Sequence, residues 1–171
     1  MGKVNGKQKG NSFERLVANT LSDKFKEYLN KEKTFIRNPD SGSMLGGKNQ
    51  SRMDTHLEEF QKFGDVLTPN AFRYSIECKS YKTPPSVNSI IKQEVKQWDV
   101  WLEQATQDSK NANRELLLII KYNNTEPFVL VDKYINEIDF ILRYKQYVCY
   151  TLKQFLTLKE EWYFQKDMKN D

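Results

Sequence analysis

A chain of 171 residues, 38% hydrophobic and 29% charged, can bury a core without disulfides or a structural metal. No stretch approaches the length of a membrane span, and the polar opening MGKVNGKQKG lacks a signal core. Two cysteines, Cys78 and Cys149, are too few and too scattered for a disulfide framework or a zinc site, so both read as reduced, buried thiols of a cytoplasmic chain. The net charge is +4, and residues 1–37 hold nine Lys or Arg against four acids, 9 − 4 = +5. That excess suits either a solvated basic face or a surface that meets an anionic polymer.

In chain order, residues 1–10 read as a disordered basic arm. Residues 11–171 form one domain, since no repeat or linker interrupts them. A helix is expected from Asn11 or Ser12, because Phe13, Leu16, Val17, Leu21, Phe25 and Tyr28 recur at helical spacing. Asn11 with Glu14 has the form of a capping box. KTFIR (33–37) reads as a short strand. Residues 38–62 begin NPDSGSMLGGKNQ, and so long a polar loop is functional or disordered; DTHLEEFQKF (54–63) adds a turn or two of helix. FGDVL (63–67) and FRYSIECKSY (72–81) look like paired strands around a turn at Thr68, Pro69 and Asn70. A helix then runs from about Asn88 to Asp108, with Ile91, Val95, Trp98, Leu102 and Ala105 facing inward. LLLIIKY (116–122) has the continuous apolar character of a strand buried on both faces. PFVLVD (127–132) and YVCYT (147–151) read as strands, DKYINEIDFILRY (132–144) as a helix and LKQFLTL (152–158) as a short helix. The order predicts an α/β fold, a mixed central sheet with helices on its faces.

Strand 72–81 carries the chemistry. Side chains alternate across a strand, so Phe72, Tyr74, Ile76 and Cys78 face one way and Arg73, Ser75, Glu77 and Lys79 the other. Asp65 on the preceding strand can lie beside Glu77. Two carboxylates and a lysine suit magnesium, which prefers carboxylate oxygen and can activate water against a phosphodiester. Asp65 and Glu77, with the carbonyl of Cys78, would hold the ion, and Glu14 could reach the same cluster. Lys79 would position the water or stabilise developing charge. An acid followed two residues later by lysine is also an ordinary exposed strand face bearing an ion pair.

The pieces GNSFERLVANTL with Glu14 and Arg15, FIRNPDSGS with Arg37, GDV with Asp65 and IECKSY with Glu77, Lys79 and Ser80 come in a telling order. In it the chain resembles the PD-(D/E)xK nucleases, and among them the archaeal-type and phage Holliday junction resolvases. The resemblance covers residues 10–122 or so, and the helix with Trp98, Gln104 and Ala105 before LLLIIKY looks like the segment that follows the active site. It implies a restriction-endonuclease-like core and a metal site of Glu14, Asp65, Glu77 and Lys79, using magnesium with manganese able to substitute. It also implies DNA contacts from Arg37 and from Ser41 or Ser43, with Arg15 and Ser80 in the same motifs. The enzyme would be a homodimer that cuts four-way DNA junctions, in the cytoplasm of a bacterial host if phage-encoded. The chain departs from the pattern in having Gly64 rather than proline before Asp65, a change many members tolerate, and a longer segment between Arg37 and Asp65.

Other residues weigh less. His56, the only histidine, reads as a solvated loop residue. The glycines at 42, 46 and 47 lack phosphate-loop spacing; Lys48 and Arg52 are phosphate contacts if the loop folds against DNA. Trp98, Trp101 and Trp162 read as core or interface. Two rivals stand beside the resolvase reading: a restriction- or repair-type nuclease acting on duplex, nicked or flapped DNA, and a nuclease-fold protein that binds DNA without cutting it.

Overall fold

The computed structural model describes residues 6–39, 60–61 and 63–165. The order is α1 (Gly6–Leu29), β1 (Ile36–Arg37), β2 (Phe60–Gln61), β3 (Val66–Pro69), β4 (Tyr74–Tyr81), α2 (Val87–Ile91), α3 (Lys96–Asn111), β5 (Glu115–Tyr122), β6 (Phe128–Val131), β7 (Leu142–Tyr144), β8 (Tyr147–Thr151) and α4 (Leu152–Phe155), then a short 3-10 turn at Glu160–Trp162. Five strands form a mixed sheet in the order β4-β5-β6-β8-β7. β4 and β5 run parallel and the other pairs antiparallel. A parallel pair needs a crossover, and α2 and α3 supply it. A separate sheet, β1-β3-β2, is antiparallel.

The expected α/β architecture with a mixed sheet flanked by helices is what the chain forms. β5 is its centre, buried on both faces as its run of apolar residues requires. Leu117 and Ile119 join the core under α1, while Leu116, Leu118 and Ile120 join the core under α3. Val95, Trp98, Leu102 and Ala105 are inward as expected.

The first helix begins at Gly6, earlier than Asn11, so residues 6–10 belong to it rather than to a disordered arm. Asn11 is therefore no cap, and Ser12 donates back to the carbonyl of Gln8. Within the predicted stripe Phe13, Val17, Leu21 and Phe25 are buried, whereas Leu16 and Tyr28 lie half-exposed on its flank. Of the proposed helix at 54–63, residues 60–61 are strand and 54–59 lie outside the described residues. β3 and β4 are not a hairpin: β4 takes β5 as its ladder partner, and β3 belongs to the smaller sheet. Thr68 and Pro69 are strand residues.

The helix expected over 88–108 breaks at Gln93, whose φ of 56° is left-handed, and Ile91 points to solvent. Residues 132–144 are turns ending in β7, not a helix. Their apolar residues split between the core, at Ile135, and solvent, at Tyr134, Phe140 and Ile141, and Ile135 is tied by its backbone N–H to the Tyr150 hydroxyl at 2.7 Å.

An aromatic cluster closes the α1 side. Phe25 lies within 4.8–6.2 Å, ring to ring, of Phe35, Phe72, Tyr163 and Phe164. The chain returns here late. Arg73 N–H donates to the Tyr163 carbonyl at 2.6 Å, and Gln165 N–H to the Ala71 carbonyl at 3.0 Å. Phe25→Ala should cost about 3–5 kcal/mol, measured as a lowered urea midpoint with the slope retained.

Candidate active site

The site lies where α1, β1, β3, β4 and α3 meet. β4 packs Tyr74, Ile76 and Cys78 into the α1 core. Its opposite face carries Ser75, Glu77 and Lys79 beneath α3. That face is not the ordinary exposed strand surface of the alternative reading, for Ser75 and Glu77 are buried.

Asp65 is delivered to Glu77 through the backbone. Its N–H donates to the Ile76 carbonyl, and its Oδ2 accepts the N–H of Cys78, both at 2.8 Å. Its own carbonyl accepts from Asn38 N–H at 2.8 Å, while the Asn38 amide donates to the Gly64 carbonyl at 2.9 Å. The juxtaposition of Asp65 and Glu77 expected from a ladder is thus achieved without one. Gly64 makes this approach possible. Its φ is +80°, and a Cβ there would stand 2.5 Å from the Ile76 carbonyl oxygen. No residue with a side chain fits, and proline could not take that φ, which accounts for glycine at this position.

Lys79 Nζ lies 2.6 Å from Glu77 Oε1 and donates to Gln104 Oε1 of α3 at 3.0 Å. Glu14, buried on α1, accepts from Arg37 Nε at 2.7 Å, and Arg37 Nη2 donates to Asn11 Oδ1 at 3.0 Å. Asn11 and Glu14, three residues apart on one helix face, therefore serve Arg37 rather than a helix cap.

The charges are held at a cost. Burial, then the charge of Glu77, push the Asp65 carboxyl up to about 7, against the pull of the Cys78 N–H. Burial also raises Glu77; Lys79 opposes this, and Asp108 and Glu14 add to it. Burial works against the charge of Lys79, yet Glu77 and Asp65 hold its ammonium above the ordinary lysine value. Asp108, one turn beyond Gln104, is itself raised by burial and feels Lys79 in return. The result is a buried acidic pair with one lysine attached, a place where a further cation is favoured.

Residues 5–166 match the family described as "Phage putative PDDEXK endonuclease". The chain belongs to this family. No curated protein and no solved structure matches it. A PD-(D/E)xK nuclease of phage type is a phosphodiester hydrolase that binds DNA, and the α/β fold with its mixed sheet agrees with this assignment. No helix among the described residues is long and apolar enough to cross a membrane.

Asp65, Glu77, Cys78 and Lys79 lie together in the structure. Glu14 is near enough for both acids to feel its charge. Among the described residues no three His, Cys, Asp or Glu side chains form a ready-made metal cluster. Arg15 is exposed on α1 and Ser80 half-buried at the end of β4. Ser41, Ser43, Lys48, Arg52 and His56 lie outside the described residues. Sequence reasoning gave Asn38 and Asp108 no role and met Gln104 only through the resemblance. Gln104 and Asp108 lie four apart on α3, a same-face spacing that could have been read, whereas Asn38 acts through backbone contacts that leave no pattern.

Gly64→Ala should cost about 2–4 kcal/mol, from a forced left-handed alanine and the collision with Ile76, and should abolish cleavage by displacing Asp65; thermal unfolding with a nicking assay checks both. For Asp65 the linkage runs against the usual carboxylate. The folded carboxyl keeps its proton between the ordinary aspartate range and about 7, where the unfolded chain has lost it. Folding therefore takes up protons, and stability falls as pH rises through that window. Without divalent ions the protein should melt lower at pH 8 than at pH 5, and Asp65→Asn should flatten that slope and gain ~2 kcal/mol at pH 8.

Proposed function

We propose that this nuclease is a magnesium-dependent, structure-selective endodeoxyribonuclease that hydrolyses phosphodiesters at branched DNA, with four-way junctions as its substrate, and that residues 11–171 act as one nuclease unit. The observation that supports the chemistry best is the buried pair Asp65 and Glu77, fixed by the Cys78 N–H and by Lys79. The preference for junctions rests on the sequence order from Glu14 to Ser80, and so does the expectation of a homodimer making paired cuts.

The donor set fits a hard cation. Asp65 and Glu77 offer carboxylate oxygen, and each raises the cost of the other's charge, a cost a divalent ion removes. Magnesium is held by one or two carboxylates, with water and phosphate oxygens completing its shell, so a third carboxylate is not required. Asp65 and Glu77 would hold it, with the Cys78 carbonyl beside them; when bound it supplies Lewis acidity to the phosphate and acidity to a water. Manganese can take the same oxygens. Lys79, charged and pinned between Glu77 and Gln104, would aim its N–H groups at the attacking water or at the charge that grows on the phosphate. Glu14 and Arg37 would act as a unit, the carboxylate orienting the guanidinium toward the DNA backbone. Arg15, Ser41, Ser43, Lys48, Arg52 and Ser80 would line the DNA path. For a phage-encoded enzyme the place of action is the host cytoplasm.

The decisive experiment is cleavage of a synthetic four-way junction, a linear duplex and a single flap with magnesium, wild type beside Lys79→Ala. Symmetric cutting of the junction alone, reduced at least 10²-fold in Lys79→Ala, is expected. Equal cutting of all three substrates would leave a restriction- or repair-type nuclease. Binding without cutting would leave a DNA-binding relative.

A further inference from the structure

We infer that Tyr81 is the specificity-determining residue of this nuclease: its ring stacks on a base left uncovered at a branch, close to the phosphate that is cut. The inference deepens the reading above and rests on branched DNA being the substrate.

Residues of β4 and α3 meet in a row. Glu77 feels the charge of Asp108, Lys79 donates to Gln104 at 3.0 Å, and Tyr81 lies 4.9 Å, ring to ring, from Trp101. Each step forward along β4 is a step back along α3. Exposure rises in the same direction. Glu77 is buried, Lys79 is partly covered, and Tyr81 is 46% exposed. On the other side of Glu77 the same face carries Ser75, which is buried. Along this face, access to Lys79 and Glu77 therefore comes from the Tyr81 end. β4 also ends here. It runs parallel to β5, and the two stop together at Tyr81 and Tyr122. In open α/β sheets ligands lie beyond the carboxyl ends of such strands.

The ring is braced. Trp101 behind it is buried, and the Tyr81 carbonyl accepts the N–H of Asn123 at 3.1 Å. Lysines gather at this end of the sheet. Lys82 follows Tyr81 and is exposed, Lys121 stands opposite Ser80 on β5, and Lys9 of α1 donates to the side chain of Asn123. An exposed ring among cations is how proteins hold nucleic acid with free base faces: the cations meet phosphates and the ring takes a base. In an intact duplex each base is covered by its neighbours on both sides, so the ring has nothing to stack on. A branch point leaves a face open. Two residues of strand separate Lys79 from Tyr81 by about 7 Å, and stacked DNA advances about 3.4 Å per nucleotide. The base that meets Tyr81 is thus within about two nucleotides of the cut.

Binding to a four-way junction and to a linear duplex is measured in EDTA, where nothing is cut. Wild type is compared with Tyr81→Ala, Tyr81→Leu, Tyr81→Phe and the control Tyr134→Ala, an exposed tyrosine beside β7 at the opposite edge of the sheet. Tyr81→Ala and Tyr81→Leu should each weaken junction binding about tenfold and leave duplex binding as it was. Tyr81→Phe keeps the ring and should match wild type, as should the control. An abasic position moved along the strand should weaken wild-type binding at one place near the cut and cost little there in Tyr81→Ala. Unchanged junction binding in Tyr81→Ala overturns the proposal. So does wild-type behaviour of Tyr81→Leu, or an equal loss on both DNAs, since the ring would then do no more than cover Trp101. The two readings fail separately. A protein that cuts junctions through Lys79 yet binds them normally as Tyr81→Ala loses the stacking residue alone. One that binds junctions through Tyr81 and never cuts loses the catalytic reading alone.

Discussion

Asp65 and Glu77 are buried within reach of each other's charge, and the arrangement around them serves to tolerate that repulsion. Left to themselves, two such carboxyls would swing apart or draw in water. Here one accepts the Cys78 N–H and the other is clamped to Lys79. Gly64 and Asn38 fix the backbone that carries Asp65, and Gln104 fixes the lysine. The free energy that holds these groups comes from elsewhere, from a sheet strand sealed on both faces and an aromatic cluster that anchors α1.

β4 joins the two roles. Its even-numbered residues up to Cys78 insert into the α1 core, and its odd-numbered ones turn toward α3. Side-chain alternation thus ties the candidate site to the core: Ile76 and Cys78 fix the register, and the register presents Glu77 and Lys79 on the other side. A one-residue slip would send both charged side chains into the apolar core. The parallel pairing with β5, from Tyr74 opposite Glu115 to Tyr81 opposite Tyr122, guards against that slip.

Much of this was legible because the pattern was local. The apolar run of β5, the alternation of β4 and the stripe on α3 each stand in adjacent residues. The acids and the lysine could be singled out because alternation puts Glu77 and Lys79 on one face of a strand and Asp65 lies in the segment before it. The sequence misled where partners are distant. An exposed face stayed open as an alternative for Glu77 because α3, which covers it, begins nearly twenty residues later in the chain. The paired strands of β3 and β4 were a local inference, overridden by β5. Residues 132–144 have a helix-compatible composition, but Ile135 is drawn to Tyr150. Gly64 looked like a departure from a motif until its backbone angle and the nearness of Ile76 were seen.

The late return of the chain also bears on when the enzyme comes into being. Ala71 and Arg73, at the entry to β4, are paired with Tyr163 and Gln165, and Phe164 completes the cluster beneath α1. A nascent chain still held in the ribosomal tunnel lacks those partners, even after Asp65, Glu77 and Lys79 have all emerged. Domains close as units once their last contacts are available. The order of synthesis therefore separates two events: Asp65, Glu77 and Lys79 are made early, and the entry to the strand that carries two of them is tied down only once residues 163–165 are available.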